Sequence, residues 1–150
     1  MTVLYDEVID GLAAGQLGLV TRAQLCEHGM SADAIDSRVR ARRLRQLHRG
    51  VYRAGPLLVT RARELAALLA CGPHACISHS SAGFLWQLLP DPGDDVTVDV
   101  SIGQGHRGRR PDIRVHRVAL RADEVTTLDS IRLTTLSRTV VDLADRKSVV

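Results

Sequence analysis

Two helix starts follow one another closely near the N-terminus, and together they leave this region little freedom in how it folds. Thr21 is placed to cap a helix, Gln24 completes a capping box, and Val20 with Leu25 forms a hydrophobic staple across the first turn. The helix so predicted is short and stops at His28-Gly29. A second start comes at once, with Ser31 as cap, Asp33 in the first turn where the helix dipole favours an acid, and Met30 with Ile35 as a second staple. Ile35 and Val39 continue the apolar stripe. Upstream, Leu4, Val8 and Leu12 recur at helical spacing and predict a first helix ended by Gly15 and Gly18. Two short helices about a glycine turn, the second running into arginines, form the helix-turn-helix pattern. Leu44 to Leu47 and Val51 to Arg53 then predict two short strands closed by His48-Arg49-Gly50, a hairpin where a wing would lie. Residues 1–55 are thus expected to form a winged helix-turn-helix.

Between residues 38 and 53 lie seven arginines and no acid, although the whole chain is only +3. Such a local concentration repels itself unless phosphates or counter-ions relieve it, which makes nucleic acid the leading partner. In helix-turn-helix geometry the N-terminal residues of the second helix meet base edges. Ala32, Asp33, Asp36, Ser37 and Arg40 hold the exposed positions, and Ser31, as the cap, lies beside them. The two aspartates would accept from cytosine amino groups or offset the helix dipole. Arg38, Arg40, Arg42 and Arg43 would contact phosphates, while Arg45, Arg49 and Arg53 would let the wing reach the backbone or minor groove. The bland reading is a winged helix used for protein contacts, with a solvated arginine face. Nineteen of the twenty basic residues are Arg, which suits bidentate phosphate contacts but also follows from GC-rich coding.

Beyond Gly55-Pro56, read as the joint, residues 56–150 predict a small α+β domain. Thr60 begins a helix through Leu65, Leu68 and Leu69 that ends at Gly72-Pro73, and Ser78 caps another with Ala82, Leu85, Trp86 and Leu89 inward. Val96, Val98, Val100 and Ile102 alternate, as do Ile113, Val115 and Val118, which predicts two strands of a half-buried antiparallel sheet. Ile131 and Leu133 suggest another strand, and Ser137 begins a last helix. The fold class expected is mainly α plus α+β, an N-terminal winged helix-turn-helix followed by an α+β domain with an antiparallel sheet. The segment joining the two alternating strands carries Arg107, Arg109 and Arg110 and is read as a basic hairpin tip, a secondary contact to DNA or a partner.

Other chemistries fit less well. Only one Trp, one Phe and two Tyr are present, too few for a single-strand binder built on stacking. Cys71-Gly-Pro-His74-Ala-Cys76-Ile-Ser-His79 contains zinc-ligand types, but one residue between the pairs leaves too little chain to wrap an ion, so no metal is assigned. Ser78 and His79 are adjacent, and adjacent helical residues do not face each other, so Ser78 is read as a cap and not a nucleophile. The four Glu residues form no nuclease metal motif, and Gly103-Gln-Gly105-His-Arg-Gly108 lies between strands, the wrong context for a phosphate-cradling loop. No catalytic residue and no cofactor are expected. Three cysteines without framework spacing, no signal-type start and no long apolar run suggest a soluble cytoplasmic protein without a membrane span.

Several stretches resemble the AbiEi-type antitoxins of type IV toxin–antitoxin systems: Gly18-Leu-Val-Thr-Arg-Ala-Gln-Leu25, Ala34-Ile35 through Arg49-Gly-Val-Tyr52, Ala70-Cys-Gly-Pro73, Ser78-His-Ser-Ser-Ala82 and Leu85-Trp86. Ile113-Arg-Val-His116 and Ser137-Arg-Thr-Val-Val-Asp-Leu-Ala144 add to the likeness, which spans residues 4 to 145. The resemblance implies an N-terminal winged helix that binds inverted repeats upstream of its own operon and represses it, with two copies on a palindromic site. Carried over by position, the DNA-binding elements fall on Ser31 to Arg43 and on Arg45 to Arg53. In the paired systems a following region counters a nucleotidyltransferase-type toxin, and a similar front region precedes a very-short-patch-repair-like endonuclease domain in other proteins. This sequence stops at Val150, where both long forms continue, so no nuclease active site is carried over. The alternatives to an autorepressor are a protein-interaction module that neutralises a cognate nucleotidyltransferase-type toxin and the non-catalytic front half of a DNA-processing endonuclease.

Overall fold

The computed structural model describes residues 2–93, 96–103 and 110–148, with side chains from residue 4 to residue 145 of those ranges. Two compact units form, Met1–Ala70 and Cys71–Val150. In the first, helix α1 (Thr2–Ala14) leads through a turn with Gly18 at φ 82 into strand β1 (Leu19–Thr21). Helices α2 (Arg22–Glu27) and α3 (Ala32–Arg40) follow, then strands β2 (Arg45–His48) and β3 (Val51–Arg53) and helix α4 (Ala62–Cys71). The strands pair antiparallel in the order β1-β3-β2, with a bulge in β2 between Gln46 and His48.

The local capping chemistry is as expected. Thr21 Oγ1 accepts from the Gln24 amide at 3.1 Å, and the Gln24 side chain accepts from the Thr21 amide at 2.9 Å. Gln16 exchanges a pair of 2.9 Å side-chain bonds with Gln24 and so ties the α1–β1 turn to α2. Ser31 Oγ accepts from the Ala34 amide at 3.1 Å and starts α3. Each such cap contributes about 1 kcal/mol.

Strand alternation divides this unit's apolar residues between two faces. Val20 and Tyr52 join Ile9, Ala13, Leu25, Met30, Ile35 and Leu44 in one cluster, while Leu19 and Val51 pack with Ala62 and Ala66 in another. Helices α1–α3 therefore cover one face of the small sheet and α4 covers the other. That is why the compact unit runs past Gly55-Pro56, where composition suggested a joint. The buried side of α1 also differs from expectation. Ile9 and Ala13 are buried with Tyr5 and Leu12 against them, whereas Leu4 is exposed. Two apolar stripes run one residue apart on this helix, and the packed sheet selects the second.

The second unit places strands β4 (Cys76–Ile77), β5 (Val98–Ile102), β6 (Ile113–Arg117), β7 (Val125–Leu128) and β8 (Ile131–Thr134) in the order β6-β5-β4-β8-β7. Helix α5 (His79–Leu85) follows β4, a 3-10 turn (Ala122–Glu124) precedes β7, and helix α6 (Leu136–Ser148) closes the sequence of elements. The sheet is mixed, and this corrects the expected antiparallel arrangement. β5 and β6 run parallel, in register from Val98↔Ile113 to Ile102↔Arg117, and β4 pairs parallel with β8. β5 and β6 are consequently not the two arms of a hairpin, and residues 104–109 between them lie outside the described residues. Nor is β5 half-buried: all five of its residues are buried, Asp99 and Ser101 included. At Gly83, α5 and α6 approach so closely that a Cβ would lie 3.0 Å from Leu89 Cδ1 and 3.1 Å from Leu143 Cδ1. The Trp86 indole donates to the Thr134 carbonyl at 2.9 Å and ties α5 to the end of β8. Mixed α/β architecture is thus the fold, and among the described residues no helix is long and apolar enough to cross a membrane.

Candidate nucleic-acid interface

The end of α3 and the hairpin after it carry five exposed arginines, Arg40, Arg42, Arg43, Arg45 and Arg49. Arg40, Arg42, Arg45 and Arg49 are exposed and form no ion pair among the described residues. Arg49 lies in the β2–β3 turn, where Gly50 adopts φ 78 and accepts from the Arg22 amide at 2.8 Å. Arg42, Arg43, Arg45 and Arg53 line one concavity of about 450 Å³ together with Ala54, Gly55 and Pro56. No carboxylate lines it, so the hollow has the charge and shape to receive an anion.

Not every expected residue faces this surface. Arg38 is a correction: only 8% exposed, it lies at 3.1 Å from Asp6 Oδ1, donates to the Ala34 carbonyl at 3.3 Å and sits 5.4 Å from the Tyr5 ring centre. Its guanidinium joins α3 to α1 and is not placed for a phosphate. Arg43 is exposed but bonds the other Asp6 oxygen at 3.2 Å. Arg53 is half-buried and donates to the Gly55 carbonyl at 2.8 Å. Ser37 is exposed on α3, and Ser31 is exposed with its oxygen already capping. Asp36 does not stand alone, since Arg22 Nη1 donates to it at 3.0 Å and to the Tyr52 hydroxyl at 3.0 Å. Those two contacts, Tyr52 first, raise the Arg22 guanidinium above its ordinary value. Arg22 went unassigned in the sequence, where its sole mark was the position next to the Thr21 cap. Of the secondary arginines, Arg107 and Arg109 lie outside the described residues. Arg110 is half-buried, and its carbonyl accepts from the Ile113 amide at 3.2 Å as the chain enters β6.

Arg42 has φ 60, a left-handed conformation at the C-terminal turn of α3. An L-residue there costs about 1–2 kcal/mol, whereas glycine is unstrained but loses about 0.5–1 kcal/mol more entropy on folding. Arg42→Gly should therefore raise unfolding stability by roughly 0.5 kcal/mol. Urea denaturation checks this, and a loss above about 1 kcal/mol would mean that the side chain holds the turn.

A second polar cluster lies on the Cys71–Val150 unit and was missed in the sequence. Ser78 makes no side-chain cap bond; its buried oxygen instead lies 3.0 Å from His79 Nδ1 and accepts from Ser101 Oγ at 2.7 Å. Ser78 thus holds the N-cap position of α5 as expected, but its oxygen makes no cap bond and meets His79, which corrects the reading that the two cannot face each other. His79 has φ 50, outside the range of a regular right-handed helix, so the i, i+1 rule for helical side chains does not govern this pair. His116 Nε2 lies 2.9 Å from Asp99 Oδ1, and the His79 and His116 rings stack with centres 3.8 Å apart. The zinc-like string is dispersed by comparison. Cys71 and Cys76 are buried, and burial pushes both thiols up, Cys76 to about 11, while His74 is exposed. Among the described residues no group of three or more His, Cys, Asp or Glu side chains is arranged to hold a metal ion.

The sequence matches no protein-family model and no curated protein at a significant level.

Proposed function

We propose that the protein is a double-stranded-DNA-binding transcriptional regulator of antitoxin type, acting without enzymatic chemistry of its own. The observation that carries this reading is the exposed set Arg40, Arg42, Arg45 and Arg49, which extends from the end of α3 onto the β2–β3 hairpin. The order α1-β1-α2-α3-β2-β3 supports a winged helix-turn-helix, with α3 as recognition helix and the β2–β3 hairpin as wing. Ser37 and Arg40 would read bases, and the wing arginines would hold the backbone. Operator autorepression, two copies on an inverted repeat and a cognate toxin come from the resemblance to AbiEi-type antitoxins.

The test is anisotropy binding to the duplex upstream of the gene, against a shuffled duplex, at low and physiological salt. A preference of about a thousandfold at physiological salt is expected of a specific regulator. Equal, salt-labile binding to both would reduce the surface to a non-specific one and leave partner binding as the function. One observation favours that second reading: Leu136, Val140 and Val141 of α6 are about half exposed, an apolar strip on the other unit.

A further inference from the structure

The geometry points to a second ligand for the arginine hollow besides DNA: a free oligophosphate, whose binding displaces the duplex. The displacement rests on the reading of this surface as the DNA interface, whereas the anion site itself does not. Arg42, Arg43, Arg45 and Arg53, which line the hollow, all belong to the Met1–Ala70 unit. Arg45 and Arg53 are direct cross-strand partners, so their side chains leave one face of the sheet side by side. Like charges placed in this way destabilise a strand pair unless an opposite charge joins them. The sheet supplies none. Leu19 is the partner of Arg53 on its other side, and β2, which carries Arg45, is an edge strand.

Charge decides which anion fits best. Asp6 bonds Arg43 at 3.2 Å, but its other oxygen serves Arg38 at 3.1 Å, so one acid is shared by two arginines. Four guanidiniums less at most this one charge leave an excess that a single backbone phosphate, with one negative charge, does not balance. A duplex spreads its charges along a stiff axis, about one per 1.7 Å. An oligophosphate instead gathers several on bridged groups small enough to enter a concavity. The volume of about 450 Å³ lies within the range of small-ligand sites, about 300–1,000 Å³. Two of the four donors are already held, Arg43 by Asp6 and Arg53 by the Gly55 carbonyl at 2.8 Å, which lowers the entropy lost when an anion is clamped. A hollow of about 300 Å³ shares Arg42 and Arg45 and adds Val39, Leu44 and Gln46, so a nucleoside attached to the phosphates has a place to lie.

Titration calorimetry of the full chain with sodium tripolyphosphate, against sodium sulfate at equal ionic strength, tests the site. Saturable binding roughly a hundredfold tighter than that of sulfate is expected, about tenfold for each of two further charge-assisted contacts. Arg45→Gln, at an exposed edge position, should weaken it roughly tenfold without lowering the thermal midpoint, and Arg42→Gln should do the same. Arg49→Gln, outside the hollow, should leave tripolyphosphate binding unchanged while weakening duplex binding. Tripolyphosphate held no more tightly than sulfate, or bound by the Arg42→Gln and Arg45→Gln proteins as by the parent, overturns the proposal. Adenosine triphosphate separates the sources: tighter binding than tripolyphosphate supports a nucleotide, and equal binding supports an inorganic chain. Anisotropy of a labelled duplex then reads displacement. Release at the concentrations that saturate the hollow supports it, and a duplex still held by a saturated protein overturns it. A protein that binds tripolyphosphate and no duplex at all sinks the DNA reading and leaves the anion site standing.

Discussion

Replacing Arg42, Arg45 and Arg49 together by alanine is expected to weaken duplex binding by roughly a thousandfold at low salt, about tenfold for each lost charge-assisted contact. The slope of log affinity against log salt should become shallower by about 2.7, at about 0.9 per phosphate no longer neutralised. The slope is the sharper readout, because it counts phosphates and ignores sequence. The three side chains are exposed and make no ion pair among the described residues, so the folded state loses no compensated contact with them. Stability should stay within about 0.5 kcal/mol. Arg121→Ala serves as a control for general charge, since its guanidinium is exposed and held by Asp123. A triple variant with the parent's slope would show that DNA, if bound, is held elsewhere. Arg38→Ala is unsuitable for this experiment, because it would strip Asp6 of its buried partner and confound binding with folding.

The largest stability effect is expected at Arg138. Its Nη1 donates to Glu124 Oε2 at 2.6 Å and its Nε to Asp142 Oδ1 at 3.0 Å, so one guanidinium joins the 3-10 turn before β7 to α6. Asp142 is only 5% exposed, and truncating its partner leaves a buried carboxylate uncompensated. That costs about 3–5 kcal/mol for a fully buried pair. With Arg138 itself 27% exposed, water reaches part of the network, and the low end, about 3 kcal/mol, is the expectation for Arg138→Ala. For a unit of this size the midpoint of thermal unfolding should fall by more than about 10 °C. Calorimetry measures it. Combining Arg138→Met with Asp142→Leu should recover most of the loss, because the cost lies in the orphaned charge and not in the missing attraction. A single variant that loses less than about 1 kcal/mol would mean that Asp142 finds another donor or takes up a proton.

The legible parts of this fold are those set within a few residues of themselves. The Thr21–Gln24 box and the Ser31 cap bond across three positions, and both form as the sequence predicts. The two short helices, the Val51–Arg53 strand and the glycine turn at Gly50 follow from equally local preferences. Most of the expected arginines reach the surface for a related reason: charge is costly to bury, so exposure is the default. Arg38 breaks that default because Asp6 and Tyr5 arrive from more than thirty residues earlier, and no spacing rule announces them.

The mixed sheet and the histidine cluster belong to the tertiary structure. Alternation of Val98, Val100 and Ile102 says which side chains share a face, yet it carries no information on strand direction, and β6 pairs parallel. It also marks Asp99 and Ser101 as solvent-facing, because a polar residue looks exposed until its partners are known. His116, Ser81 and Ser78 meet β5 from elsewhere in the unit, the Ser81 oxygen accepting from the Asp99 amide at 2.8 Å, and make burial tolerable. His79 needed both kinds of information: its neighbour Ser78 is visible in the sequence, but the φ of 50 that brings them together exists only in the folded chain. By itself, then, the sequence determined the Thr21 and Ser31 caps, the two short helices after them and the exposure of most arginines between residues 38 and 53, since these depend on neighbours along the chain. Strand direction, the covering of β5 and the pairing of buried polar groups were decided by contacts between distant segments, whose free energy is settled only when the unit packs.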